Sequence, residues 1–222
     1  MQSERITSKF TLKSNPAWNI VGGFSSPSKM PCYSYSIPSD FCKTGSKLRN
    51  KSDSVCNSCY TFKGKYRIGN VQNSLLNRFN SLKDERWVDA MVTLLKLQPY
   101  KHFRWHDSGD LQGSWHLEKI IKVAEACPEI QFWLPTQEVN IVEDTLENFP
   151  LLPDNLNIRL SSQKINIASS HPFLSTSLVV TKGNFSKDIE GILCRSYELG
   201  GKCGNCRQCW DKKIKRIIYM IH

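Results

Sequence analysis

The chain has 222 residues, 40% of them hydrophobic and 10% aromatic, which supports one ordered domain with a normal core and excludes a disordered chain. Its net charge of +10 suits a partner that carries phosphates, whether nucleic acid or a nucleotide. No apolar run of about 18 residues is present, and the opening Met1-Gln-Ser-Glu-Arg5 has no apolar h-region, so neither a membrane span nor a secretory leader is expected.

In chain order, a short strand is predicted at Trp18–Val21, ended by Gly22-Gly23. Residues 25–54 are rich in Ser, Pro and Lys and read as a long loop. Cys32, Cys42 and Cys56 lie on it or just beyond it, and a metal clip there would offset the loop-closure entropy. A helix over 71–82 places Val71, Leu75, Leu76 and Phe79 on one face. A second, opened by Lys83-Asp-Glu-Arg86, carries Trp87, Met91, Leu94 and Leu95 and stops near Gln98-Pro99.

His102 to His106 alternates and reads as a strand running into the polar loop Asp107-Ser-Gly-Asp110; strand parity puts His102 and His106 on the side of Arg104. Ser114 is the expected N-cap of a helix over 115–126 with Leu117, Ile120, Ile121 and Ala124 on its face, stopped by Pro128. Then come a strand at Ile130–Leu134, a helix over 140–149, and strands at Asn157–Leu160 and Leu178–Val180. Strands near 102, 130 and 157 with helices between them form a βαβαβ series, which implies parallel strands and right-handed crossovers. No Gly-x-Gly-x-x-Gly or Walker A string supports an open doubly wound sheet, so the expected fold is α/β, a complete or partial TIM-like β/α barrel. Residues 1–222 are read as a single domain, with a cysteine-rich loop at 25–60, a β/α core at 68–182 and a cysteine-rich tail at 190–222.

Nine cysteines carry the chemistry. Cys203-Gly-Asn-Cys206-Arg-Gln-Cys209 repeats a Cys-x2-Cys step twice. Structural zinc usually joins two separated pairs, whereas this run resembles a ligand run for a [4Fe–4S] cubane, in which successive thiolates hold different irons. The fourth ligand can come from Cys194, Cys32, Cys42 or the Cys56/Cys59 pair. The metal candidates are therefore Cys32, Cys42, Cys56, Cys59, Cys194, Cys203, Cys206 and Cys209; Cys127, at the end of an amphipathic helix, reads as a core residue. Divided by sequence, four thiols lie toward each end, and a cluster held by four cysteines leaves no iron open for substrate. Zinc at one or both sites stands as the alternative.

In β/α folds chemistry sits where strands end. The catalytic candidates there are Arg104, His106, Asp107 and Asp110, joined at later strand ends by Thr136, Gln137, Glu138, Ser161, Ser162 and Gln163. A catalytic, a binding and a purely structural rim all fit these residue types.

The combination of Cys32, Cys56-x2-Cys59-Tyr60, Phe103-Arg-Trp-His-Asp-Ser-Gly-Asp110, Phe132-Trp133 and Cys194 with Cys203-x2-Cys206-x2-Cys209-Trp210 resembles the gene product 88 family of phages and plasmids. The resemblance implies a phage- or plasmid-borne protein acting in the host cytoplasm, and brings no established activity with it. A cysteine cluster ending Cys-x2-Cys-Tyr ahead of a β/α series is also similar to radical S-adenosylmethionine enzymes, where three cysteines leave one iron open; here thirteen residues separate Cys42 from Cys56, and no Gly-Gly-Glu string follows. The expected function is a phage [4Fe–4S] protein acting on nucleic acid or host regulation. The alternatives are a radical S-adenosylmethionine-like enzyme and a zinc-stapled protein that binds nucleic acid through Lys43, Lys47, Arg49 and Lys51 or through Lys212, Lys213, Lys215 and Arg216.

Overall fold

The computed structural model describes residues 12–183 and 189–221. Seven strands, β1 (Ser34–Tyr35), β2 (His102–Trp105), β3 (Gln131–Thr136), β4 (Leu156–Ser161), β5 (Ser175–Val180), β6 (Ile192–Leu193) and β7 (Arg216–Met220), form one sheet in the order β1-β2-β3-β4-β5-β7-β6. Every pairing is parallel. The helices are α1 (Ala17–Val21), α2 (Lys43–Leu48), α3 (Gly69–Ser81), α4 (Trp87–Leu97), α5 (Ser114–Ala126) and α6 (Val139–Asn148). None among the described residues is long and apolar enough to cross a membrane.

The β/α series over 102–180 forms as its patterning dictates. Phe103 and Trp105, Phe132 and Leu134, and Leu156, Ile158 and Leu160 alternate along β2–β4 and face the helices. Against them α4 buries Trp87, Met91, Leu94 and Leu95, and α5 buries Leu117, Ile120, Ile121 and Ala124. Each such fully buried large side chain contributes about 1.5–3 kcal/mol. Cys127 is part of this layer.

The intervening strand residues Arg104, Trp133, Asn157, Arg159 and Tyr219 occupy the second face. The cysteine-rich tail crosses that face. Trp210 donates from Nε1 to the Phe103 carbonyl at 2.8 Å, and its ring packs edge-on to Trp133. Asn157 Nδ2 donates to the Cys209 carbonyl at 2.9 Å. Arg159, fully buried, donates to the carbonyls of Thr176, Ile214 and Asp211.

Four expectations change. The sheet is open: β1 and β6 are its edges, each two residues long, and among the described residues the outer side of β1 carries only an isolated antiparallel bridge from Ser34 to Ser25, so the closing pairing of a complete barrel is not made. Trp18–Val21 belongs to helix α1, not to a strand: Asn15 Oδ1 accepts from the Ala17 N–H, Ala17 and Val21 are buried one turn apart, and Gly22 closes the end at φ 74°. The segment 25–54 is not all loop, since it supplies β1 and α2, and the tail adds β6 and β7. Ser114 is the first residue of α5 and makes no capping bond.

Asn155 ties α5 to the sheet. Its Nδ2 faces the carbonyls of Ala124, Cys127 and Ile130 at 2.8–2.9 Å, adding a donor to the turn that leads from the end of α5 into β3. Asn155→Ala is expected to destabilise the chain by about 1–3 kcal/mol, read from urea midpoints. A change near zero would mean that water replaces the amide.

Candidate metal centre and strand-end rim

The loop after β1 crosses the carboxyl ends of the strands. Thr44 donates from its N–H (2.8 Å) and its hydroxyl (2.7 Å) to the Glu138 carboxylate, just past β3. Val55 N donates to the Gln163 carbonyl at 3.0 Å, just past β4. Lys43 Nζ reaches the Gln112 carbonyl in the loop after β2. Along this loop Cys42 sits at the N-cap of α2, while Cys56 and Cys59 lie in one tight turn. Gly45 makes room for them: a Cβ there would stand 3.0 Å from Cys42 Cβ and 3.6 Å from Cys56 Sγ. The three thiols are electrostatic neighbours of one another, Cys42 and Cys56 also of Asp110, and Cys42 of Glu138.

The other five candidates assemble on the second face. Cys194 follows β6, its N–H bonded to the Ile218 carbonyl. Cys203 N donates to the Lys29 carbonyl at 3.1 Å, and Cys203 Sγ lies 3.9 Å from Met30 Sδ. Gly201 precedes this contact at φ 78°, a left-handed backbone conformation that residues with a Cβ seldom adopt. Cys209 Sγ lies 3.2 Å from the Tyr219 hydroxyl. Cys32, just ahead of β1, is buried with Trp133 and Trp210. Cys32 neighbours Cys203, which neighbours Cys194 and Cys206, and Cys194 also neighbours Cys209. The division is therefore three and five, not four and four: Cys32 belongs with the tail.

Among the described residues no group of three or more His, Cys, Asp and Glu side chains is placed to hold a single metal ion. Tetrahedral zinc at about 2.3 Å from each sulfur draws its thiolates close together, whereas a cubane spreads them over separate irons. The five thiols neighbour one another in a chain without converging on one point, and thiolate is the donor that zinc and iron–sulfur groups share. Burial pushes Cys32 up to about 12 against the pull of Arg104, and Cys209 up to about 11 against its hydrogen bond with Tyr219, so these two are neutral as free thiols.

Between the two sets lies Arg104. Its guanidinium stacks 4.4 Å from the Trp133 ring, and its buried Nε has no protein partner. Burial lowers its pKa, but the phenols of Tyr60, Tyr219 and Tyr66 and the Asp107 carboxylate outweigh that and raise it, so it stays charged. Asp107 accepts from the hydroxyls of Ser34 (2.6 Å), Ser36 and Tyr66 (2.7 Å), while Tyr60 bonds to its carbonyl. Burial pushes its carboxyl up, yet Arg104 and these hydroxyls more than offset that and hold it below the usual carboxylate range.

His106 is not on Arg104's side. Its φ of 53° turns it into the helix layer, 5.2 Å from the His116 ring, where neither ring nitrogen has a protein partner. Burial pushes it down to about 3, so it is neutral. Asp110 accepts from Thr136 Oγ1 (2.6 Å) and from the N–H groups of Gln137 and Leu111 (2.8 Å each). Burial still pushes it up to about 7, beside Cys42, where it can exchange a proton near neutrality. Gln137 Nε2 bonds the Ser162 carbonyl, and Ser162 bonds the Ser177 carbonyl. Sequence reading did not single out Ser34, Ser36, Tyr66, Thr44, Arg159 or Tyr219; the alternation Ser34-Tyr35-Ser36 was the available signal for the first two.

The gene product 88 profile matches residues 5–212. This chain belongs to the gene product 88 family. No curated protein and no solved structure matches it.

Proposed function

We propose that this family member is a two-site iron–sulfur protein acting in the host of a phage. The five-thiol set supplies the four ligands of a [4Fe–4S] cluster. Cys42, Cys56 and Cys59 hold a second cluster with one iron open. The observation that carries this reading is the three-and-five division of the thiols, with the three-thiol set over the carboxyl ends of parallel strands. It removes the objection that four cysteines at each end would leave no iron open. When loaded, a cluster with an open iron supplies one-electron chemistry to a small ligand bound at that iron. The chain's own part follows from its residues. Asp110 holds or releases a proton beside Cys42. Thr44 and Glu138 fix the loop that carries Cys42. Trp210 and Arg159 keep the tail across the sheet. This reading favours the radical S-adenosylmethionine-like enzyme over a passive cluster carrier.

The test is anaerobic purification followed by iron, sulfide and zinc analysis. About eight iron and eight sulfide per chain are expected for two cubanes. Zinc without sulfide would overturn the reading. S-adenosylmethionine added to the reduced protein is expected to alter the spin-resonance signal of one cluster; two clusters that both ignore it would leave an electron carrier.

A further inference from the structure

The chain's positive charge is concentrated where the three-thiol site opens. Residues 43–67 hold Lys43, Lys47, Arg49 and Lys51, then Lys63, Lys65 and Arg67, against the single anion Asp53: a net +6 out of the chain's +10 in about a ninth of its length. Little of this charge is neutralised. Arg67 pairs with Asp40, and Asp53 is taken by Lys164. Lys47, Lys63 and Lys65 make no ion pair among the described residues, and with Lys51 they are exposed. A loop bearing this much unpaired charge repels itself, and a polyanion laid across it relieves that repulsion while releasing its own counterions. Two aromatic rings stand in the same region, Phe41 at 40% and Tyr60 at 43% exposure. Cations interleaved with exposed rings are what a single-stranded nucleic acid uses, phosphates on the lysines and bases on the rings.

We infer that the 43–67 loop is a docking surface for single-stranded nucleic acid, and that this polymer is the substrate class presented to the three-thiol site. The docking surface stands on charge and exposure alone; only the substrate role rests on the iron–sulfur reading above. The loop's hydrogen bonds to Gln112, Glu138 and Gln163 hold it over the carboxyl rim, so a strand lying along it passes Cys42, Cys56 and Cys59.

The experiment is fluorescence anisotropy of a labelled oligothymidylate of about 20 nucleotides with the anaerobically purified full chain. Binding is expected to weaken steeply with salt. The variant Lys47→Glu/Lys51→Glu/Lys63→Glu/Lys65→Glu is expected to bind at least tenfold more weakly, with a log–log salt slope shallower by about 3, since each lost phosphate contact removes about 0.7. A matched variant, Lys83→Glu/Lys96→Glu/Lys101→Glu/Lys122→Glu, reverses four exposed lysines away from the loop and is expected to bind as the parent does. Circular dichroism and iron content, unchanged in both variants, show that the fold is intact. Three outcomes would overturn the inference: no salt-dependent binding by the parent, equal losses in the two variants, or a lysine-dependent preference for phosphatidylserine vesicles over the oligonucleotide. A metal-free chain that still binds the oligonucleotide would sink the cluster reading and leave the docking surface standing; a loaded chain that ignores it would do the reverse.

Discussion

Replacing Cys203 and Cys206 together by serine is expected to remove one cluster and spare the other, so that about four iron and four sulfide leave each chain. The two residues are neighbours in the five-thiol set, and without them Cys32, Cys194 and Cys209 remain as three thiols with no Cys-x2-Cys pair like that of Cys56 and Cys59 to anchor a cluster from one turn. The reciprocal variant, Cys56→Ser/Cys59→Ser, is expected to remove the other half of the iron, together with any spectral response to S-adenosylmethionine. Cys32→Ser discriminates most sharply. Sequence proximity assigns Cys32 to Cys42 and Cys56, whereas its burial beside Trp133 and Trp210 assigns it to the tail. Any iron it costs should therefore come from the cluster that the Cys203/Cys206 variant lacks. If either double variant strips all the iron, the two sets serve one shared site and the division fails.

Asp107→Ala is expected to cost about 3–5 kcal/mol at neutral pH, the usual consequence of removing one member of a buried charged network. The alanine leaves Ser34, Ser36 and Tyr66 without their shared acceptor and takes from Arg104 a nearby anion. Asp107→Asn, which keeps an acceptor oxygen but no charge, is expected to lose less. Because the folded-state pKa of Asp107 is depressed, its stabilisation is complete above the ordinary carboxylate value near 4 and is lost as pH falls through the folded value. Parent and alanine variant should therefore converge in urea midpoint as pH is lowered below about 4. An alanine variant as stable as the parent at pH 7 would mean that water already neutralises Arg104.

The central β/α series was legible because its strands and helices are long and each carries one clear period. Met91, Leu94 and Leu95, or Phe103 and Trp105, leave little choice of face. The edges were not legible. Ser34-Tyr35 is a strand because Arg104 and Trp105 pair with it, which no local propensity records. Trp18–Val21 is an apolar run short enough to be strand or helix, and the Asn15 side chain, which accepts from the Ala17 N–H, and the C-cap Gly22 decide the matter. The candidate thiols were all named in advance, but their grouping was not. Cys32 precedes β1 and Cys42 follows it, so a strand only two residues long carries the chain from one site to the other. His106 departs from strand parity because its left-handed backbone turns the ring over, a conformation that non-glycine residues seldom adopt.

The place of β7 between β5 and β6 also fixes a timetable for the newborn chain. Ile192–Leu193 has no strand to join until Arg216–Met220 has been made, and Arg159 waits for carbonyls at Asp211 and Ile214. Met30 meets its contact at Cys203 only 173 residues later. Synthesis at roughly 5–20 residues per second leaves the early thiols and Trp133 uncovered for many seconds. The five-thiol set is therefore complete only once Cys209 has been made, whereas Cys42, Cys56 and Cys59 are all present long before.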